Sequence, residues 1–401
     1  MQLPLIVYIE GGGFCLGSAF DKRFHNFVSS LVANATAVSV EYRLAPEHPI
    51  PACHHDPWAA LQWVASHANS DGPEQWLNNH ADFRRLMQME YSSDYTKIAH
   101  DFTPFFRVYK DGVVEKCSPV EKISPDDDPL AGVRSKDAII STKPSISARI
   151  FIPRMRDHNM QLPLVVYYHG GGFCLGSAFD KRYHNFVSSL AAGANAIAVS
   201  VEYRLAPEHP IPACYEDSWA ALQWVASHAN GQGPEPWLTN HADFRRVFLV
   251  GDSGGANIIH NMMVREGISA VLRKTKLVGL AFMHPFFGGT DTDRMWLFLC
   301  PNNRGLLDPR LRPPAEDLGR VYCDTVLVFL SEKDIYRDAG KRYCDDLRRS
   351  GWRGSVEIVE QKGVGHIFHL LKPNCQQPVD LINRLVSFIN QGKVMKLMSK
   401  I

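Results

Sequence analysis

The 401-residue sequence has no surplus of charge: 43 lysines and arginines stand against 42 aspartates and glutamates, for a formal net charge of +1. A chain so nearly neutral offers no basic stripe for nucleic acid and no polybasic patch for an anionic membrane. It has no run of 18 apolar residues that would read as a membrane span. Its start, Met1-Gln2-Leu3-Pro4, lacks the basic and apolar regions of a secretory signal. It also lacks any CxxC pair, and its nine cysteines, an odd number, are scattered among apolar segments. The expectation is a cytoplasmic protein with reduced, buried thiols. Ser399-Lys400-Ile401 differs at one position from the peroxisomal address SKL, which leaves the peroxisome as an alternative. No His, Cys, Asp or Glu set has metal-ligand spacing, and no cofactor is expected.

What the sequence does have is an internal repeat. Residues 1–31 are a near copy of 160–190, residues 38–53 match 199–214, and the likeness runs through HADFRR at 80–85 and 241–246. Two copies at so long a period are no solenoid. After Arg246 the second copy continues as VFLVGDSGG, whereas after Arg85 the first continues as LMQMEYSSDY. The expected division is a truncated, non-catalytic duplicate over 1–88, a complete domain over 89–390 and a tail over 391–401. The duplicate reads as strand, helix, strand, helix, with too little sheet to bury both faces. It fits a tandem gene duplication or a merged gene model better than a regulatory or dimerising module.

From Phe105 onward, strand-length apolar runs alternate with helical stretches such as 216–228 and 256–266. This predicts an α/β fold with a mostly parallel sheet and right-handed crossovers. The runs FFRVYK and VVEKCS flank Asp111-Gly112, a strong hairpin signal, which predicts an antiparallel start to that sheet. Gly251-Asp252-Ser253-Gly254-Gly255 follows the strand RVFLV and opens a helix. A serine there sits on a sharp strand-to-helix turn with its hydroxyl above the sheet, beside the free N–H groups of a helix start. His169-Gly170-Gly171-Gly172 follows the strand LVVYY. Its three glycines expose bare backbone N–H groups, so the loop can place two donors on an oxyanion, and the Gly254 N–H can supply a third. Asp334 follows TVLVFLSEK and His366 follows SVEIVEQ, both at C-terminal strand ends where α/β sheets bind ligands. The order Ser253, Asp334, His366 suits a nucleophile, its orienting acid and its base.

Other residues fit these roles less well. His369 and Asp338 fall inside the helices that follow His366 and Asp334. Asp252 is expected to point away from the apex and to be structural. His209 and His241 have no strand-end position, and His169 precedes the nucleophile. GDSGG also occurs in chymotrypsin-like proteases, but those are all-β and run His, Asp, Ser.

Together HGGGF, VSVEYRLAPEHP at 199–210, AALQWVASH at 220–228, GDSGGAN, EKDIYRDAG at 332–340 and GHIFHL at 365–370 resemble the plant carboxylesterases. These belong to the hormone-sensitive-lipase branch of the α/β hydrolases. The resemblance covers about 90–390 and, in part, 1–85. It implies an α/β-hydrolase fold with a small cap and a cofactor-free serine esterase acting on small acyl esters. The implied triad is Ser253, Asp334 and His366, with Gly171, Gly172 and Gly254 as oxyanion hole. Similar relatives include 2-hydroxyisoflavanone dehydratases and tuliposide-converting transesterases, so a lyase or transesterase on the same site stays open. So does a non-catalytic binding protein or decayed duplicate. The gibberellin receptor is similar but lacks the histidine that His366 supplies here. Three departures stand out. Gly254 stands where relatives usually have Ala. Glu10 replaces His169 in the first copy. The segment 288–295 is shorter than the cap stretch of relatives, which would leave the site wetter. Oligomeric state is not legible.

Overall fold

The structure is a computed structural model that describes residues 3–9, 19, 28–29, 35–44, 50–69, 72–83, 98–128, 132–155, 157, 160–289 and 293–398. The chain divides into two compact units, 1–98 and 99–401. Glu10, Met89 and Ser399-Lys400-Ile401 lie outside the described residues.

In the first unit, β1 (Leu3–Ile9) lies between β2 (Thr36–Val40) and β3 (Ala81–Asp82), all parallel. Helix α1 (Ile50–Ser66) connects β2 toward β3. Leu5, Val64, Leu77, Ala81 and Phe83 form a small core.

The second unit carries β4 (Ile98–Phe102), β5 (Phe106–Tyr109) and β6 (Val114–Lys116) in a separate three-stranded sheet. Asp111-Gly112 does turn a β5–β6 hairpin, but that hairpin is not the antiparallel start of the main sheet. It is pulled elsewhere. Lys116 Nζ donates to Cys174 O at 2.9 Å, Ala206 O at 2.8 Å and Glu208 at 2.8 Å, and Phe106 is fully buried. The antiparallel edge comes instead from β7 (Asp127–Asp128), β8 (Val133–Thr142) and β9 (Ser145–Pro153). These join β10 (Leu162–Tyr168), β11 (Ile197–Glu202), β12 (Ala242–Asp252), β13 (Leu277–Met283), β14 (Thr325–Ser331) and β15 (Ser355–Gln361). The nine strands run in the order β15-β14-β13-β12-β10-β11-β9-β8-β7, parallel from β15 to β11.

The parallel strands are continuously apolar because helices cover both faces. Along β10 all seven residues are buried. Leu162, Leu164, Val166 and Tyr168 enter one core, while Val165 and Tyr167 enter the other, as the two-residue period of a strand requires. Helix α2 (Lys181–Ala194) begins at Asp180, whose carboxylate accepts the Arg182 N–H, and ends at Asn195 in the left-handed conformation. Helix α3 (Ala213–Ser227) packs against α4 (Gly254–Met263), the helix that follows Ser253. Helices α5 (Asp293–Leu299), α6 (Arg337–Arg349), α7 (Phe368–Leu371) and α8 (Gln376–Met398) complete the layers used below. Of the described cysteines, Cys174, Cys214, Cys300, Cys323 and Cys344 are buried free thiols, Cys117 is half-buried and Cys375 exposed. Among the described residues no helix is long and apolar enough to cross a membrane.

Candidate active site

Strand β12 runs straight into the turn that exposes Ser253, whose backbone is strained at φ 48°, ψ −115°. The turn is possible because two glycines leave room for it. A Cβ on Gly255 would lie 2.0 Å from the Tyr168 carbonyl oxygen, and one on Gly251 would lie 2.8 Å from the Gly255 backbone. The neighbouring strand β10 ends in the His169–Gly172 loop. Gly171 sits at φ 104°, where a Cβ would meet Leu175 O at 2.2 Å. The loop and the Ser253 turn face each other: a Cβ on Gly254 would lie 3.6 Å from Gly172 N and 3.5 Å from Phe173 N.

Asp334 and His366 arrive from the ends of β14 and β15. His366 Nε2 lies 3.0 Å from Ser253 Oγ, and His366 Nδ1 lies 2.8 Å from Asp334 Oδ2. An ionised carboxylate can only accept, so Nδ1 carries the proton and Nε2 is free to accept from the serine hydroxyl. Asp334 Oδ1 accepts the Tyr336 N–H at 2.9 Å, which fixes the carboxylate. The His366 ring is held edge-on by Tyr336 at 4.9 Å and by His284 at 5.9 Å.

The structure thus brings together the six residues picked from the sequence and leaves the competitors aside. His369 is buried, packs on Phe186 at 4.9 Å, and its imidazole is pushed down to about 3 by burial. Asp338 is exposed beside Arg337. His209 is exposed and His241 half-buried, and neither lines the cleft. His169 is buried, its ring stacked on Tyr203 at 4.2 Å with Nδ1 2.8 Å from Gly170 O. Burial pushes this imidazole down to about 4, so it stays neutral.

Ser253 and His366 open onto a cleft of about 340 Å³ with largely apolar walls, among them Phe105, Val120, Phe286, Met295, Tyr336 and Leu370. These walls escaped the sequence reading. Phe105 and Met295 both close on the His169–Gly172 loop, each 3.0 Å from where a Cβ on Gly172 would be. Met295 belongs to α5, inside the segment expected to be a shortened cap. Trp296 beside it is buried edge-on against Phe173 at 5.7 Å. The available signal was the amphipathic run DRMWLFL (Asp293–Leu299), with Met295, Trp296 and Leu299 at helical spacing on the buried side. Thr290, Asp291 and Thr292 lie outside the described residues. Among the described residues no cluster of His, Cys, Asp or Glu could hold a metal ion.

A family model described as the alpha/beta hydrolase fold matches residues 6–89 and 165–370. The chain is 39% identical over 317 residues to a protein named 2-hydroxyisoflavanone dehydratase from Glycyrrhiza echinata, covering 73% of this chain and 96% of the relative. It is 39% identical over 312 residues to "Probable carboxylesterase 2" of Arabidopsis thaliana, covering 74% and 97%. Among solved structures it is similar to a hyperthermophilic esterase from Pyrobaculum calidifontis, with 28% identity, TM-score 0.53, and 65% and 86% of the two chains covered. It is also similar to the carboxylesterase EstE1 from a metagenomic library, with 26% identity, TM-score 0.54, and 66% and 90% covered. With the family model spanning most of the sheet and helices just described, the chain belongs to the alpha/beta hydrolase family, in its plant carboxylesterase branch.

Proposed function

We propose that the protein is a serine carboxylesterase that hydrolyses small acyl esters. The observation that carries this reading is the hydrogen-bonded chain from Ser253 Oγ through His366 to Asp334 at the floor of an apolar cleft. His366 Nε2 takes the Ser253 proton as Oγ attacks the ester carbonyl. The carbonyl oxygen becomes an oxyanion, stabilised by the N–H groups of Gly171, Gly172 and Gly254. Asp334 holds the tautomer and stabilises the imidazolium. When the tetrahedral intermediate collapses, the C–O bond to the alcohol breaks and His366 returns its proton to that alcohol. Water, deprotonated by His366, then attacks the acyl-serine. The acid leaves and the proton goes back to Oγ. The cleft's size and apolar walls favour short or compact acyl groups over long chains.

The test is hydrolysis of p-nitrophenyl acetate and butyrate by the full chain and by Ser253→Ala. Loss of the nucleophile from an interdependent triad should lower kcat by several orders of magnitude. Equal rates in the two proteins would remove the esterase reading. A second reading, a lyase on the same site, has support from relatives named 2-hydroxyisoflavanone dehydratase at 39% identity. Turnover of 2-hydroxyisoflavanone without p-nitrophenyl ester hydrolysis would favour it.

A further inference from the structure

The nucleophile turn and the oxyanion loop hang from neighbouring parallel strands, and the ladder between them stops at Tyr168↔Gly251. Beyond that pair β12 runs on to Asp252 beside β13, and no further ladder pair joins it to the chain leaving β10. The Asp252 side chain takes over at that point. Its Oδ1 accepts the Gly170 N–H at 2.9 Å and the Tyr167 hydroxyl at 2.6 Å, and its Oδ2 accepts the Tyr183 hydroxyl at 3.4 Å. Asp252 is fully buried, and the fit is close: a Cβ on Gly170 would lie 2.3 Å from Oδ2.

We propose that Asp252 is a positioning residue that ties the backbone of the oxyanion loop to the residue bearing the nucleophile. The proposal rests on the esterase reading above. One neighbour of the tether is the nucleophile, since Asp252 immediately precedes Ser253. The other is Gly170, which immediately precedes Gly171. A hydrogen bond between the two therefore sets the separation of the attacking oxygen from the donors that receive the oxyanion. The residue just before Gly170 is pinned independently, by Tyr203 donating to His169 O at 2.6 Å. Losing the Asp252 tether would free the Gly170 N–H, and with it the Gly171 and Gly172 donors that follow, while His169 stays held. Such a change misplaces transition-state donors while leaving the apolar cleft that binds the ground state. Displacements of this kind cost about 10²-fold in rate.

This predicts a particular pattern in steady-state kinetics of the full chain with p-nitrophenyl acetate. Asp252→Ala should lower kcat by about 10²-fold while KM stays within about twofold, the signature of an interaction made only in the transition state. Asp252→Asn keeps an oxygen that can accept from both Gly170 and Tyr167. It should recover at least about tenfold of that loss, which a cavity or general loosening would not explain. A folded Asp252→Ala with wild-type kcat, or one that raises KM and spares kcat, overturns the proposal. So does an Asn variant no better than Ala. If Asp252→Ala fails to fold, as judged by its thermal transition, Tyr167→Phe decides. A fall in kcat of about fivefold at unchanged KM supports the tether, and an unchanged kcat overturns it. Ser253→Ala in the same assay separates the two levels. If wild type and Ser253→Ala are equal, the esterase reading has failed and not the tether.

Discussion

The two units offer one sequence in two surroundings. LPLIVYI of β1 and LPLVVYY of β10 differ at two positions. Both are central strands, and both pair in corresponding registers, Leu5↔Thr36 in one and Leu164↔Ile197 in the other. Yet every residue of β10 is buried, while in β1 Leu5 alone is. Helices α1 and α3 differ in the same way. Trp58 is 62% exposed and its counterpart Trp219 is 9% exposed. Local contacts survive in both. Arg43 forks onto Asp56 as Arg204 does onto Asp217, and His67 accepts the Glu74 N–H as His228 accepts that of Glu235. Hydrogen bonds between residues close in sequence thus follow from the shared segment itself. Burial follows from what comes after it. In the second unit Leu222 shares its core with Ile258, Ile259 and Met262 of α4, and the Arg265 guanidinium lies 4.6 Å over the Trp219 ring. The first copy has LMQMEY where that strand, turn and helix would begin.

Identical substitutions in the two copies turn this contrast into measurements. Leu222→Ala empties a site only 1% exposed and should cost about 2.7–5 kcal/mol. Leu61→Ala, at the half-buried equivalent, should cost well under half of that. Hydrogen exchange of peptides spanning α3 and α1 reads both. Equal costs would mean that the first unit has a covering layer of its own. A smaller difference is expected at the duplicated ion pair. Asp217 is fully buried and accepts three N–H groups of Arg204, from its backbone N, Nε and Nη2, at 2.8–2.9 Å. Asp217→Asn removes the charge and one acceptor, at about 2 kcal/mol after allowing for the partly exposed Arg204. Asp56→Asn, with its partner largely in solvent, should fall within the scatter of surface substitutions. Urea unfolding of each variant checks the pair.

The first copy of the repeat stops before the position of Asp252, and this carboxylate should behave as no residue of that copy does. Burial raises it from 3.8 to about 6, against the opposing pull of the Tyr167 and Tyr183 hydroxyls, the Gly170 N–H and nearby His366. The folded state therefore holds the proton more tightly than the unfolded chain. Wild-type stability falls as pH rises between those two values, relative to a group that does not titrate. Asp252→Asn does not titrate. It should add nothing near pH 3.5 and should stabilise by about 1 kcal/mol at about pH 7.5. This is the ceiling of roughly 3 kcal/mol set by the shift, less the weaker hydrogen bonds of a neutral amide. Thermal melts at the two pH values check the sign. A gain that grows toward acid pH would mean that the carboxylate is stabilised by its site.

The grouping proposed as catalytic was legible because each member sits at the end of an apolar strand in a fixed chain order. Ser253, Asp334 and His366 need only the parallel sheet to be brought together. The cleft walls were not legible, because Phe105 and Met295 come from the start of a separate hairpin and from a seven-residue helix whose placement depends on Lys116, Phe106 and Trp296. The sequence marks Asp252 as no more than structural, since its neighbours in sequence say nothing of Tyr167, Tyr183 and Gly170. They become its partners only when β10, β12 and α2 are packed. The hairpin at Asp111-Gly112 was right as a turn and wrong as an edge of the main sheet. Local pattern specifies a turn, and tertiary contacts decide what it joins.

The smallest effect is expected inside the Ser253 turn, a motif that the first copy lacks, where two adjacent glycines differ sharply. A Cβ on Gly255 would strike the Tyr168 carbonyl oxygen at 2.0 Å, backbone that cannot give way without moving β10. A Cβ on Gly254 would meet nothing closer than Phe173 at 3.5 Å, ordinary van der Waals contact, and Gly254 opens α4 in helical backbone. Gly254→Ala should thus remove freedom from the unfolded chain without strain in the folded one, raising stability by roughly 0.5 kcal/mol. Its N–H is unaltered, so kcat should not fall. Gly255→Ala should instead lose the fold or the activity. A thermal melt and a p-nitrophenyl acetate assay on both variants check this. A Gly254→Ala variant that loses activity would show that the looser turn left by glycine is itself required by this site.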